Sequence, residues 1–190
     1  NNVDEQSTMI PPPDQEAIKL IHQAIDRGIN FIDTARAYGR SEALLGHALR
    51  DRRDKVVIAT KTGWYDHDGT MLRGKALRDH MEQSLATSLR LLQTDWIDLL
   101  MLHSATIDVL EAEEAIENLR DFQRQGYVRY IGASTYGEEA AQKAIELGVN
   151  ALQVAYNILD QRMEDKVFPS AKDKGVGIVV RSVFLKGVLT

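Results

Sequence analysis

Four residues of this 190-residue chain carry groups that together can move a proton onto an oxygen: Asp33, Tyr38, Lys61 and His103. Three of them follow directly on apolar runs. In "FIDTARAYGRSE" the run stops at Asp33, and a tyrosine comes five residues later. "KVVIAT" leads into Lys61 and "WIDLLML" leads into His103. Singly, each has a plain structural reading: a turn-capping carboxylate, a rim aromatic, a lysine snorkelling from a strand end, a hydrogen-bonded boundary histidine. Together they fit one reaction. An ordinary tyrosine, with a pKa of about 10, is a poor acid near neutrality. A neighbouring ammonium favours the phenolate, so Lys61 is expected to lower the Tyr38 pKa, with Asp33 holding the lysine charged and directed. Tyr38 would then protonate a carbonyl oxygen as that oxygen gains negative charge, and His103 would hydrogen-bond the same atom. No side chain can deliver the hydride such a reduction needs, whereas a nicotinamide cofactor can.

These residues need elements that bring them to one place. Short β-branched runs read as buried strands over 28–33, 55–60, 96–102, 128–134, 150–156 and 177–183. Helical spacing of apolar residues reads as helices over 14–27, 41–50, 74–92, 108–125, 137–147 and 164–174. "PPPDQEAIKL" puts prolines and acids at a helix start, and Gly28 stands where a helix-terminating glycine belongs. Strands that alternate with helices and are apolar nearly throughout read as parallel β/α units. No G-x-G-x-x-G follows an early strand, which disfavours a doubly wound sheet. A unit about every 30 residues favours a (β/α)8 TIM barrel. Only six of its eight strands are found, so the expectation is a single, incomplete barrel domain over 1–190. In such a barrel the chemistry gathers at the C-terminal strand ends. There stand Asp33, Lys61, His103, Ser134 with Thr135, Gln153, and Arg181 with Ser182.

The segments "GINFIDTARAYGRSEALLGHAL", "VVIATKTG", "DWIDLLMLHS", "YIGASTYG" and "LQVAYNILDQR" closely resemble the aldo-keto reductase family. The resemblance spans residues 14 to 190 and corresponds to the family's second to seventh strands, with the first strand and the last β/α unit missing. It implies an NADPH-dependent carbonyl reductase whose catalytic tetrad falls on Asp33, Tyr38, Lys61 and His103. It also implies that Asp33, Ser134, Thr135, Gln153, Arg181 and Ser182 belong to the cofactor site, and that Tyr38, Trp64 and His103 face the substrate. Ser134 and Gln153 would hold the nicotinamide carboxamide, and Ser182 would lie near the phosphates. Two positions depart from the family pattern. Thr135 stands where Asn is usual, and Arg181 stands where many members stack an aromatic ring on the nicotinamide.

The rest of the chain excludes more than it adds. A net charge of −5 argues against a nucleic-acid partner or an anionic membrane surface. The absence of cysteine removes thiolate chemistry and disulfides, which fits a cytoplasmic address. "YDHDG" (65–69) reads as a polar turn rather than a metal site. His22, His47 and His80 read as isolated surface or boundary residues on helices. The expected partner is a small carbonyl compound. The alternatives are a nucleotide-binding regulatory subunit with little turnover and, further off, a Lys61 Schiff-base lyase.

Overall fold

The computed structural model describes residues 14–189. The proline run at 11–13 lies outside them. Six strands form one all-parallel sheet in chain order: β1 (Phe31–Asp33), β2 (Val57–Thr62), β3 (Ile97–Ala105), β4 (Val128–Thr135), β5 (Ala151–Ala155) and β6 (Gly177–Arg181). The crossovers run through α1 (Asp14–Asp26) before β1, then α2 (Ser41–Ala48), α3 (Gly74–Leu92), α4 (Ile107–Glu111) with α5 (Glu114–Arg124), α6 (Glu138–Glu146) and α7 (Val167–Lys174). No helix among the described residues is long and apolar enough to cross a membrane.

Two layers of side chains follow from the strand pleat. Ile58, Leu100, Leu102, Ile131, Ala133, Leu152 and Val154 join the core beneath the helices, against Leu77, Met81 and Leu85 of α3 and Ile116, Leu119 and Phe122 of α5. The alternate positions Ala59, Leu99 and Met101, with Ala151, form a second, smaller cluster on the inner face. Successive strand residues point to opposite faces. Asp33, Lys61, His103, Ser134, Gln153 and Arg181 therefore project with the inner set.

Several boundaries differ from the sequence reading, each for a local reason. Residues 28–29 close α1 rather than open β1, because Gly28 takes φ +94° and the amides of Gly28 and Ile29 donate to Ile25 and Ala24 carbonyls. The predicted helix over 108–125 is two helices, broken where Glu113 adopts φ +61°. The final helix begins at Val167, after a 3-10 turn over Arg162–Glu164. β6 stops at Arg181, because Ser182 turns to φ +60°. β3 runs on to Ala105, so His103 is a strand residue.

Gly46 shows how tightly α2 sits on α3. A Cβ at this position would come 2.1 Å from the Leu91 carbonyl oxygen, a backbone atom that cannot swing away. Gly46→Ala is therefore expected to destabilise the fold by about 3 kcal/mol, the upper part of the overpacking range. Thermal unfolding of the variant checks this, and an unchanged Tm would contradict the packing described.

Candidate active site

Asp33 and Lys61 are offset by one pleat. Asp33 is in register with Ala59, and Lys61 with Met101. The lysine stem reaches back across this offset, and Nζ donates to both Asp33 oxygens at 2.6 and 2.8 Å and to the Thr34 carbonyl at 3.0 Å. The lysine side chain is 1% exposed and the aspartate 32%, so the ion pair has one dry end and one wet end.

Tyr38 sits in the turn between β1 and α2. Its amide donates to the Ala35 carbonyl at 3.0 Å, and its carbonyl accepts from Ser41 at 3.1 Å. Glu42, in the first turn of α2, fixes this turn from below. It is fully buried, and it accepts from Arg36 at 2.6 Å and from the Thr60 hydroxyl at 2.7 Å. One carboxylate thus ties the turn two residues before Tyr38 to the strand residue preceding Lys61. A first-turn acid on an amphipathic helix normally reads as a solvent-facing residue, and nothing in the local sequence marks Glu42 as buried.

The four groups meet in one place. Lys61 Nζ lies 5.1 Å from the centre of the Tyr38 ring. The Tyr38 and His103 rings meet edge to face, with centroids 5.8 Å apart and an 86° interplanar angle. Tyr38 is 47% exposed and presents its ring to the open end of the sheet. His103 is steadied by Trp64, whose indole N–H donates to the His103 carbonyl at 3.0 Å. Just beyond it the β3–β4 register slips between Leu102 and Ala105, with Ser104 at φ +53°, a bulge at the rim of the site.

The electrostatics correct one expectation. The Tyr38 pKa is not lowered. Burial of the phenol is the main cause that pushes it above its ordinary value, and Asp33 pushes the same way, while Arg181 pulls it down. The ammonium lies against the ring, and its charge is engaged by two carboxylate oxygens, so Asp33 is the strongest charge acting on the phenol, second to burial. Burial likewise lowers the Lys61 pKa, against the hydrogen bond and charge of Asp33, which raise it. Burial also lowers that of His103, with Lys61 adding to the effect, which favours the neutral imidazole.

A cavity of about 500 Å³ opens beside this group, lined among others by Lys61, His103, Gly63, Tyr65 and His80. His80, read from the sequence as a surface or boundary residue, projects from α3 into this wall. A Cβ on Gly63 would stand 3.4 Å from its Nε2. Trp64 packs partly against the core, while Tyr65 lines the cavity. In the turn that follows, Asp66, His67 and Asp68 crowd together, and Asp66 Oδ1 accepts from the Asp68 and Thr70 amides at 3.0 and 2.9 Å, as a turn-forming aspartate does.

The cofactor candidates lie on the neighbouring strands. Ser134 and Gln153 are in direct register on β4 and β5, and both are buried. The Thr135 hydroxyl is buried with no hydrogen-bond partner among the described residues. Arg181 donates from Nη2 to the Thr135 carbonyl at 3.0 Å, and its guanidinium lies 4.1 Å from the centre of the Tyr136 ring. Ser182 is exposed, and its carbonyl accepts from Asn157 Nδ2 at 3.2 Å.

Comparison with known proteins bears on this arrangement. The model of the Aldo/keto reductase family matches residues 5–190. The chain belongs to the aldo/keto reductase family. It is 33% identical over 182 residues to aldo-keto reductase YhdN of Bacillus subtilis, covering 93% of this chain and 54% of that protein. It is 30% identical over 191 residues to an NADH-specific methylglyoxal reductase of Escherichia coli, covering 93% of this chain and 59% of the relative. Among solved structures it matches an aldo-keto reductase from Klebsiella pneumoniae in complex with NADPH, with TM-score 0.78 and 26% identity, covering 92% of this chain and 60% of that one. The chain thus spans between half and two thirds of the length of these relatives. Its six parallel strands form a curled, incomplete version of the family's (β/α)8 barrel.

Proposed function

We propose that this aldo/keto reductase reduces an aldehyde or ketone to an alcohol with NADPH, Tyr38 giving the proton. The observation that carries the reading is the convergence of the Asp33–Lys61 ion pair, the Tyr38 ring and the neutral His103 at the C-terminal ends of adjacent strands. The residues beside them suit a nicotinamide. Ser134 and Gln153 offer buried polar atoms on one face, and the Thr135 hydroxyl has no partner among the described residues. When bound there, the cofactor supplies the hydride that no side chain can. The named relatives include one with NADPH bound and one that is NADH-specific, so the choice between the two is part of the proposal.

The side chains have distinct tasks. The imidazole of His103, kept neutral by burial, donates a hydrogen bond to the substrate carbonyl oxygen and fixes its direction. As the carbonyl carbon gains its new bond, the π electrons move onto that oxygen, which becomes far more basic than a phenolate. Tyr38, whose pKa is raised, is fully protonated at neutral pH and passes its proton to the oxygen. Lys61 and Arg181 then face the phenolate left behind, and the proton is replaced from solvent at the open end of the site. The hydrogen bonds and charge of Asp33 favour the charged form of Lys61 against its burial. The cysteine-free composition fits a cytoplasmic setting for this chemistry.

The test is direct. The full chain with NADPH or NADH and a panel of neutral and charged aldehydes should consume the reduced cofactor at 340 nm in step with alcohol formation. Cofactor binding without consumption of any aldehyde would refute the reductase reading.

The pKa directions fix a pH profile. An acid whose pKa is raised keeps its proton to higher pH, so deprotonation of Tyr38 falls above its ordinary value of about 10. A base whose pKa is lowered gains a proton only at lower pH, so His103 charges below its ordinary value of about 6.5. The rate of the reduction step is therefore expected to be level from about pH 7 to 9. A basic limb centred between 8 and 9 in single-turnover rates would mean that Lys61 lowers the phenol pKa after all.

A further inference from the structure

The turn that carries Tyr38 runs from the end of β1 to the start of α2, and little packing holds the ring itself. Tyr38 is half-exposed, so its place above Lys61 and beside His103 is set by the backbone beneath it. The two ends of this turn are tied to each other, with the Thr34 and Ser41 hydroxyls 2.8 Å apart. Its middle is held more loosely by the main chain, where the Arg36 amide donates to the Lys61 carbonyl across a long 3.5 Å.

Glu42 supplies what the main chain lacks. Arg36 donates to its Oε2 at 2.6 Å, and the Thr60 hydroxyl donates to its Oε1 at 2.7 Å. Both the carboxylate and Thr60 are fully buried, so water does not compete for either bond. Burying a carboxylate is costly, and here each oxygen is met by its own donor, one of them a cation. The charges that move the Tyr38 pKa are those of Asp33, Arg181 and Tyr136. Glu42 therefore bears on the phenol by position rather than by field.

We propose that Glu42 is a positioning residue: through Arg36 it anchors the turn to β2, so that the Tyr38 ring lies against Lys61 and His103. For its consequence in turnover the inference rests on the reductase reading above, and it deepens that reading by naming the group that places the acid.

The test uses the full chain. Glu42→Leu keeps the bulk and removes both acceptors. It is expected to lower kcat about tenfold to a hundredfold, the cost of a small misplacement of a reacting group, with little change in the KM for NADPH. Glu42→Gln keeps an acceptor for Arg36, and the Thr60 hydroxyl can turn to accept from its amide, so it should recover most of that loss. In a Tyr38→Phe background, Glu42→Leu should cost far less than it does alone, because the group it places has lost its proton. The same fold-loss in both backgrounds overturns the proposal, as does a loss in Glu42→Gln equal to that in Glu42→Leu. If Glu42→Leu does not fold, Thr60→Val cuts the same link from the strand side, and an unchanged kcat in that variant overturns the proposal.

Histidine NMR reads the placement without turnover, so it still decides if the parent reduces no aldehyde and the reductase reading fails. The His103 ring signal, assigned by its loss in His103→Gln, carries the ring current of Tyr38. His22, whose Nε2 lies 2.8 Å from the carbonyl oxygen of Ala48 at the end of α2, reports how that helix sits. Glu42→Leu is expected to move the His103 signal and leave that of His22 in place. Movement of both would mean that α2 has come loose as a whole, and an unmoved His103 would mean that the ring does not depend on Glu42. Either result overturns the proposal.

Discussion

Tyr38→Phe is expected to lower kcat for aldehyde reduction by a factor of about 10² to 10⁴, the range attributed to a positioned general acid. The substitution removes one hydroxyl from a side chain that is 47% exposed, so it opens no cavity and strands no buried partner. The ring contacts with Lys61 and His103 do not need the hydroxyl and should persist. Cofactor affinity, read by fluorescence titration, should therefore change little, as should Tm. A variant that reduces 4-nitrobenzaldehyde at the parent rate would remove Tyr38 from the chemistry. A variant that loses cofactor binding in parallel would make the tyrosine a structural residue.

Lys61→Met should separate activity from stability. The ammonium is 1% exposed, and burial, the main cause, lowers its pKa despite two bonds to Asp33. Methionine fills a similar volume with no charge to desolvate, while Asp33, 32% exposed, can still be hydrated. The expected cost to stability is about 1 kcal/mol or less, and kcat should fall about 10² to 10³-fold for loss of the fixed positive charge beside the Tyr38 ring. The converse change, Asp33→Asn, leaves the buried ammonium with the Thr34 carbonyl and a neutral amide. That change should destabilise by about 3 kcal/mol, as removal of one member of a buried pair does. Urea unfolding of the two variants gives the order directly. A larger loss of stability in Lys61→Met than in Asp33→Asn would contradict the view that burial of the lysine is sustained by the aspartate.

Much of this site was visible in the sequence because strands covered by helices are apolar, so a polar residue closing one stands out. Asp33, Lys61 and His103 were legible in that way, and Tyr38 through its motif and its distance from Asp33. The parallel order of the six strands followed from their alternation with helices. What escaped depends on contacts between distant segments. The break at Glu113 carries neither glycine nor proline, and it lies where the Glu114 carboxylate reaches across to the Gly74 amide at 2.6 Å. Glu42 is buried because Arg36 and Thr60 converge on it, and His80 faces the cavity because of how α3 is rotated on the sheet. The direction of the Tyr38 pKa also escaped. Proximity of a lysine was legible, but not that its ammonium would lie against the ring with its charge engaged by Asp33. The pairing of Arg181 with Tyr136 joins strand and loop segments 45 residues apart in sequence and has no local signature.

The central claim is that the strand-end group built on Asp33, Tyr38, Lys61 and His103 adds a hydride and a proton across a carbonyl bond. The most direct measurement follows the hydrogen itself. The full chain is given 4-nitrobenzaldehyde and a nicotinamide cofactor, NADPH or NADH, with both hydrogens at C4 of the reduced ring replaced by deuterium. The account predicts 4-nitrobenzyl alcohol with one deuterium on the benzylic carbon and a hydroxyl proton drawn from water. Alcohol without that label, or no alcohol from either cofactor, would contradict it.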